Sequence, residues 1–349
     1  MSEVLFVGWV NQGNIPLVGE TVKNQFIIRE LEKYCRVRVL DFYHRKKRPW
    51  VYLRAAWMFV RYPQAHIIFS TSAKNVYVIL RILKSFGIKR HIIHWVIGGA
   101  FGQLVKSGRF KADVFNYVDI NLVQSRKMIT QLEEAGVHNA EYINNFKPIT
   151  FIPDIDKCLE KRNAQGKTRF VFLSRVHPAK GCDYILQAAA TLAEQGYRDK
   201  FIIDFYGEID DDYRERFMEQ VNSLDNVEYK GVLNLMDSAG YQVLSSYHAF
   251  LFPTFHPSEG FAGVFIDAFI AGLPVIASDW AYNREILDDG RLGVIVPVHR
   301  LDLLSDAMSD CMDGQLDLEG MARKAFAEAS RYDAANVITK EFIHKLGLL

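Results

Sequence analysis

Short apolar runs rich in β-branched and aromatic residues alternate with segments of helical period along the whole chain, which is the pattern of a doubly wound α/β protein. In the first half, VLFVGWV, RVRVLDFY, HIIFSTS, HIIHWVI, INLVQS and AEYINNF, from Val4 to Phe146, read as strands. Most are continuous apolar runs, as suits a parallel sheet covered on both faces. Between them lie helical stretches such as ETVKNQFIIRELEKY, with Val22, Phe26, Ile27 and Leu31 near helical spacing. Residues 147–168 break the rhythm with prolines and charges. The alternation resumes with RFVFLSR, FIIDFYG, VEYKG, HAFLFP, PVIASD and LGVIVP. The reading is two Rossmann-like domains, 1–150 and 169–330, joined by a linker over 151–168, with a terminal helix in 331–349 returning to the first domain. Two such sheets facing a central cleft would place ligands beyond the carboxyl ends of their strands.

Composition narrows the class. At 349 residues with 49% hydrophobic and 24% charged positions, the chain is long enough for two well-filled cores and leaves little room for disorder. Cys35, Cys158, Cys182 and Cys311 are scattered, with no CxxC pair, which argues against structural zinc and a disulfide framework. The opening MSEVLFVGWV has no basic region ahead of its apolar run and reads as a strand, not a signal peptide. No stretch has the apolar length of a spanning helix. A cytoplasmic protein is expected, with possible peripheral attachment at the inner membrane face. Charge is unevenly divided: residues 1–150 hold 22 Lys and Arg against 10 Asp and Glu, a net of +12, and residues 151–349 a net of −11. The basic half suits an anionic surface or substrate, or complements the acidic half.

Three segments carry candidate chemistry. LSRVHPAKGCDYILQAA sets Arg175 and Lys180 on one turn that opens a helix, where two cations beside a helix N-terminus suit a diphosphate. A solvated basic loop is the plain alternative. In FPTFHPSEGFAGVFIDAFIAGLPVIASD, Glu259 stands at the entrance of a helix over about 262–271, next to the backbone of Gly260, Phe261, Ala262 and Gly263. Asp267 follows inside the apolar helix. These carboxylates either hold ligand hydroxyls or serve as a helix-start charge and a buried hydrogen bond. Asp210, Asp211 and Asp212 precede helical YRERFMEQV and read as capping residues, with metal binding disfavoured. Gly98 and Gly99 mark a tight loop that either lines the cleft or is a turn. His94, within an apolar strand, is an acceptor-side base or a core histidine. The stretch HRKKRPWVYLRAAWMFVRY, residues 44–62, mixes basic and aromatic residues as a membrane-surface helix does, unless the rings face the core.

Taken together and in order, these segments resemble retaining glycosyltransferase family 4, whose capsule and exopolysaccharide members have stretches similar to HWVIGGAFG, LVQSRKMITQLEEAGV and EYINNFKP. Glu259 and Asp267 stand where that family has its Glu-x7-Glu pair, with the second acid one methylene shorter. The resemblance implies a GT-B fold and transfer of a sugar from a nucleotide sugar, a UDP-sugar foremost, to a saccharide or lipid-linked acceptor. It implies no cofactor and no metal; nucleic-acid binding through the basic half would need a recognisable reading module, which the sequence lacks. Arg175 and Lys180 would then meet the diphosphate, Glu259 the sugar hydroxyls and Asp267 the ribose. Gly207, Gly231, Val232 and Leu233 match the nucleobase side, and Gly19, in NIPLVGETVKN, either matches a glycine loop near the donor phosphate or marks a simple turn before the helix. A sugar-nucleotide epimerase of the same fold, and a hinged small-molecule binding protein, are the rival readings.

Overall fold

The computed structural model describes residues 1–13 and 19–349. The chain forms two compact units, Met1–Pro148 with Tyr332–Leu349, and Ile149–Arg331.

The first unit holds β1 (Glu3–Gly8), β2 (Arg36–Asp41), β3 (His66–Thr71), β4 (Ile92–Val96), β5 (Ile120–Val123) and β6 (Ala140–Tyr142), in the order β2-β1-β3-β4-β5-β6. All neighbours run parallel. Helices α1 (Gly19–Leu31), α2 (Val51–Arg61) and α3 (Ala73–Ser85) follow the first three strands. The central strands are apolar throughout because both faces are covered: every residue of β4 is buried. The helix α1 buries polar residues as well as Ile27 and Leu31. Asn24 on it donates to the carbonyls of Trp9 and Ser70, closing the ends of β1 and β3 where the ladders stop. Residues 332–349 complete this unit, since Ile338, Ile343 and Leu346 join Val4, Phe6 and Trp95 in one core.

The second unit repeats the plan with β7 (Thr168–Leu173), β8 (Phe201–Tyr206), β9 (Val227–Tyr229), β10 (Ala249–Phe252), β11 (Val275–Ser278) and β12 (Gly293–Val296), ordered β12-β11-β10-β7-β8-β9. Its ladders are parallel too. In each sheet the strand order reverses beside the first strand, between β1 and β3 and between β7 and β10. The loops leaving those strand pairs part to opposite faces of the sheet, and the crevice between them is where such folds take ligands.

The segment 151–168, expected as a linker, is instead partly helical and packed. Asp154 caps the helix Ile155–Asn163 by accepting from the Lys157 N–H. Arg162 is buried and donates to three carbonyls at helix ends, those of Ser245 at 3.0 Å, Gly272 at 2.7 Å and Ala271 at 2.7 Å. Burial pushes its guanidinium down to about 10, still charged at neutral pH. Its polarity suggested solvent, but the fork satisfies orphan carbonyls that no water reaches. Arg162→Met keeps the aliphatic stem and strands those carbonyls, so urea unfolding should show a loss of about 3 kcal/mol, at about 1 kcal/mol for each buried acceptor left unpaired. A loss under 0.5 kcal/mol would mean that the helix is held by other contacts.

Candidate active site

The strand order brings the two motif loops together. The chain leaves β7 through Ser174 and Arg175 and turns at Pro178–Lys180 into the helix Cys182–Leu192. It leaves neighbouring β10 through Pro253 and Thr254 toward Glu259 and the helix Val264–Ile270. The loops are locked to each other by the Phe255 N–H on the Ala179 carbonyl, 2.9 Å. Gly181, in the left-handed region at φ +83°, lies so close that a Cβ would stand 2.3 Å from the Pro253 carbonyl oxygen. No larger residue fits that turn.

At the contact, Lys180 Nζ lies 2.5 Å from Glu259 Oε2, and both side chains are largely buried. Thr254 Oγ1 donates to the same oxygen at 3.0 Å. Thr254 is fully buried. Its hydroxyl fixes the carboxylate where the ammonium alone would leave it free to swing. Thr254 is invisible to motif reading, because a Thr after a strand has many uses. His256, beside them, is pushed down by burial and by the Lys180 charge, so it stands neutral near pH 7.

Arg175 points elsewhere. Half-exposed, it reaches Asp210 at 3.6 Å, and His177 Nε2 lies 3.8 Å from the same carboxylate. Asp210 therefore differs from its expected role: its side chain makes no cap hydrogen bond and faces Arg175 and His177 instead. Among the described residues no cluster of His, Cys, Asp and Glu is placed to hold a metal ion. Arg175, His177, Asp210, Tyr213, Tyr229 and Val232 line a cavity of about 1010 Å³. Gly207, next to the lining residue Glu208, can be no larger residue, since a Cβ there would stand 1.7 Å from the Ser174 carbonyl oxygen. Its N–H donates to the Gly231 carbonyl, which brings Val232 and Leu233 to the end of β9.

Other candidates fall outside this group. Asp267 is buried on the helix Val264–Ile270 and accepts from the Tyr241 hydroxyl at 2.6 Å, in the manner of a structural hydrogen bond. Gly260, Phe261, Ala262 and Gly263 form the partly exposed turn between Glu259 and that helix. His94 is corrected to a core residue: it has no exposure, its ring nitrogens lie 3.0 Å from Asn121 Oδ1 and 3.4 Å from the Thr71 carbonyl, and burial pushes it down to about 4. A ring so enclosed meets no acceptor. Gly98 is an exposed turn residue at φ +90°, followed by buried Gly99 ahead of the helix Phe101–Lys106. Gly19 opens α1 with free space around its Cβ position, and residues 14–18 of the expected glycine loop lie outside the described residues. On α2, Val51 and Met58 face the core, whereas Trp50, Tyr52 and Trp57 are each more than half exposed. The rings of Trp50, Tyr52 and Trp57 therefore do not build the core, whereas Phe59 and Tyr62 are half-buried. No helix among the described residues is long and apolar enough to cross a membrane.

Comparison with known proteins places this geometry. Residues 167–313 match the family model for glycosyl transferases group 1. A phosphatidyl-myo-inositol mannosyltransferase of Mycobacterium tuberculosis is 28% identical over 176 residues, 48% of this chain and 44% of that protein. The alpha-D-kanosaminyltransferase of Streptomyces kanamyceticus is 25% identical over 210 residues, 56% of this chain and 50% of the other. The matched stretch thus spans about half the length, or less, of these curated relatives. Among solved structures, Anabaena HepE in complex with UDP and glucose superposes with a TM-score of 0.71 at 17% identity, over the whole of both chains. A sucrose-phosphate synthase from Thermosynechococcus elongatus does so with 0.77 at 12%, over all of this chain and 99% of that one. At such identities the likeness is one of fold.

Proposed function

We propose, from the premise that this chain is a GT-B protein of the glycosyltransferase family 4 type, that it transfers a sugar from a UDP-sugar with retention of anomeric configuration. The observation that carries the reading is the meeting of Lys180, Glu259 and Thr254 at the crevice between β7 and β10, with Arg175 a few residues away on the same loop. HepE's complex with UDP and glucose supports the choice of donor.

Three charges divide the work. The Lys180–Glu259 pair is a resting arrangement that a donor can enter: a diphosphate oxygen takes the ammonium, and sugar hydroxyls donate to the carboxylate so exposed. Arg175, held only by a long contact to Asp210, turns to the diphosphate at little cost. As the bond from the anomeric carbon to the phosphate oxygen breaks, negative charge grows on the leaving diphosphate, and these two cations, once turned to it, stabilise it without a metal. Asp267, its carboxylate held by the Tyr241 hydroxyl, would meet the ribose as the family resemblance implies. Gly207, Gly231, Val232 and Leu233 frame the base.

The acceptor is a glycan or lipid-linked saccharide of capsule, exopolysaccharide or lipopolysaccharide synthesis. The exposed rings of α2 and the cations of residues 44–62 hold the enzyme at the cytoplasmic membrane face. The mannosyltransferase relative, whose name includes a phosphatidyl lipid, agrees with this. Titration calorimetry with UDP, GDP and ADP tests the donor. UDP should bind at least tenfold tighter than the others, and equal affinities would remove uridine from the reading.

A further inference from the structure

We propose that a second cavity, in the first unit, takes the hydrocarbon chain of a lipid phosphate, with Arg45 on the phosphate. The inference rests on the lipid-linked acceptor reading above and adds a site to it. The cavity measures about 270 Å³ and lies at the carboxyl ends of β1, β2 and β3, which include the strand-order reversal of the first sheet. Phe42, Phe69 and Ile79 form apolar walls, the lining Thr71 and Asn75 are hydrogen-bonded to each other, Asn75 Nδ2 to Thr71 Oγ1 at 2.9 Å, and Arg45 stands among them with its guanidinium 4.7 Å from the centre of the Trp9 ring. Sugars need more polar partners than such walls offer, whereas a hydrocarbon needs none.

The mouth opens onto an apolar surface. Tyr52 on α2 and Val78 on α3 line the cavity, yet they are 56% and 59% exposed. Around them the surface continues with Trp50, Leu53, Trp57 and Val60 and, further along α3, Ile82 and Phe86. Nine of the fifteen exposed large apolar residues among those described fall between Trp50 and Ile88. Such concentration marks an interaction surface. Charge selects the partner. Between Asp41 and Asp113 the chain carries fourteen Lys and Arg and not one Asp or Glu. An apolar face whose own segment carries cations and no acid complements the interface of an anionic bilayer, and a lipid drawn partly out of that bilayer reaches the cavity without crossing water. Glu20, whose charge interacts with that of Arg45, is hydrogen-bonded to Thr71 and pushed up to about 7 by burial.

Calorimetry of the full chain with isopentenyl, geranyl and farnesyl phosphate tests the site, with inorganic phosphate as the chainless control. Affinity should rise at least tenfold from isopentenyl to geranyl phosphate, because each added buried carbon contributes severalfold. Val78→Trp, which fills the mouth, and Arg45→Gln should each lower geranyl phosphate affinity at least tenfold. Trp57→Ser, away from the cavity, should weaken flotation with phosphatidylglycerol vesicles at least fivefold while leaving geranyl phosphate affinity unchanged. Affinity that ignores chain length, or that survives both cavity substitutions, overturns the site, even where vesicles still bind. UDP binding to the same variants should be unaltered. Its absence from the wild-type chain would count against the glycosyltransferase reading and not against the cavity.

Discussion

On the proposed function, Glu259→Gln should abolish sugar transfer, with a loss of about a thousandfold or more, while UDP should bind as well as before or more tightly. The two effects part because Glu259 has two neighbours. In the ligand-free protein its carboxylate neutralises Lys180 at 2.5 Å. The amide retains the size and the bond from Thr254 but not the charge, so the ammonium stands free for the diphosphate. What is lost is the anion that orders the sugar hydroxyls during bond breaking. A purely structural carboxylate would behave differently: its replacement would lower stability and weaken UDP along with turnover. Thermal unfolding, UDP calorimetry and UDP-release kinetics on one preparation separate the cases, and undiminished turnover in the variant would remove Glu259 from the mechanism.

Loss of the cations has the second largest effect, and the two are not equivalent. Arg175 is half-exposed and loosely held, so Arg175→Met should lower kcat/KM by about a hundredfold with little change in melting temperature. Lys180→Met should lower kcat/KM at least as much and also destabilise the fold, because it leaves the Glu259 carboxylate buried without its counter-ion. The double variant Lys180→Met/Glu259→Gln should recover the melting temperature and remain inactive. Were stability not recovered, the pair would be an incidental contact and not a coupled unit. Kinetics and calorimetric melting of the four proteins check this cycle.

Much of this was legible in the chain. All twelve strands stand out: the central ones because burial on both sheet faces favours apolar runs such as AFLF, the edge ones, such as RVRVLD and AEY, as shorter or mixed runs between helical segments. Arg175, Lys180 and Glu259 could be picked out because ligand chemistry puts charge in loops that directly follow apolar strands. Other features depend on contacts distant in sequence. Arg162 reads as a linker cation until the carbonyls of residues 245, 271 and 272 surround it. Asp210 reads as a helix cap until the bridge between Val176 and Ile209 carries it to Arg175. Thr254 has no signature, and the burial of His94 follows from the aromatic rings of Phe101 and Phe115 packing on it. The apolar faces of α2 and α3 also differ from what periodicity implies. Their helical stripes are real, but most of the large side chains on α2 point to solvent and not to the sheet.

The central claim is that the site built on Lys180 and Glu259 splits a nucleotide sugar and passes on the sugar. Proton NMR of the full chain incubated with UDP-glucose and related UDP-sugars, with and without a bacterial lipid extract as acceptor, follows donor and product directly. The account predicts UDP release that depends on the extract, with the sugar's anomeric signal replaced by that of a new glycoside of the donor's own configuration. Appearance of a different UDP-sugar without UDP release, or a donor that binds and stays intact, would contradict it.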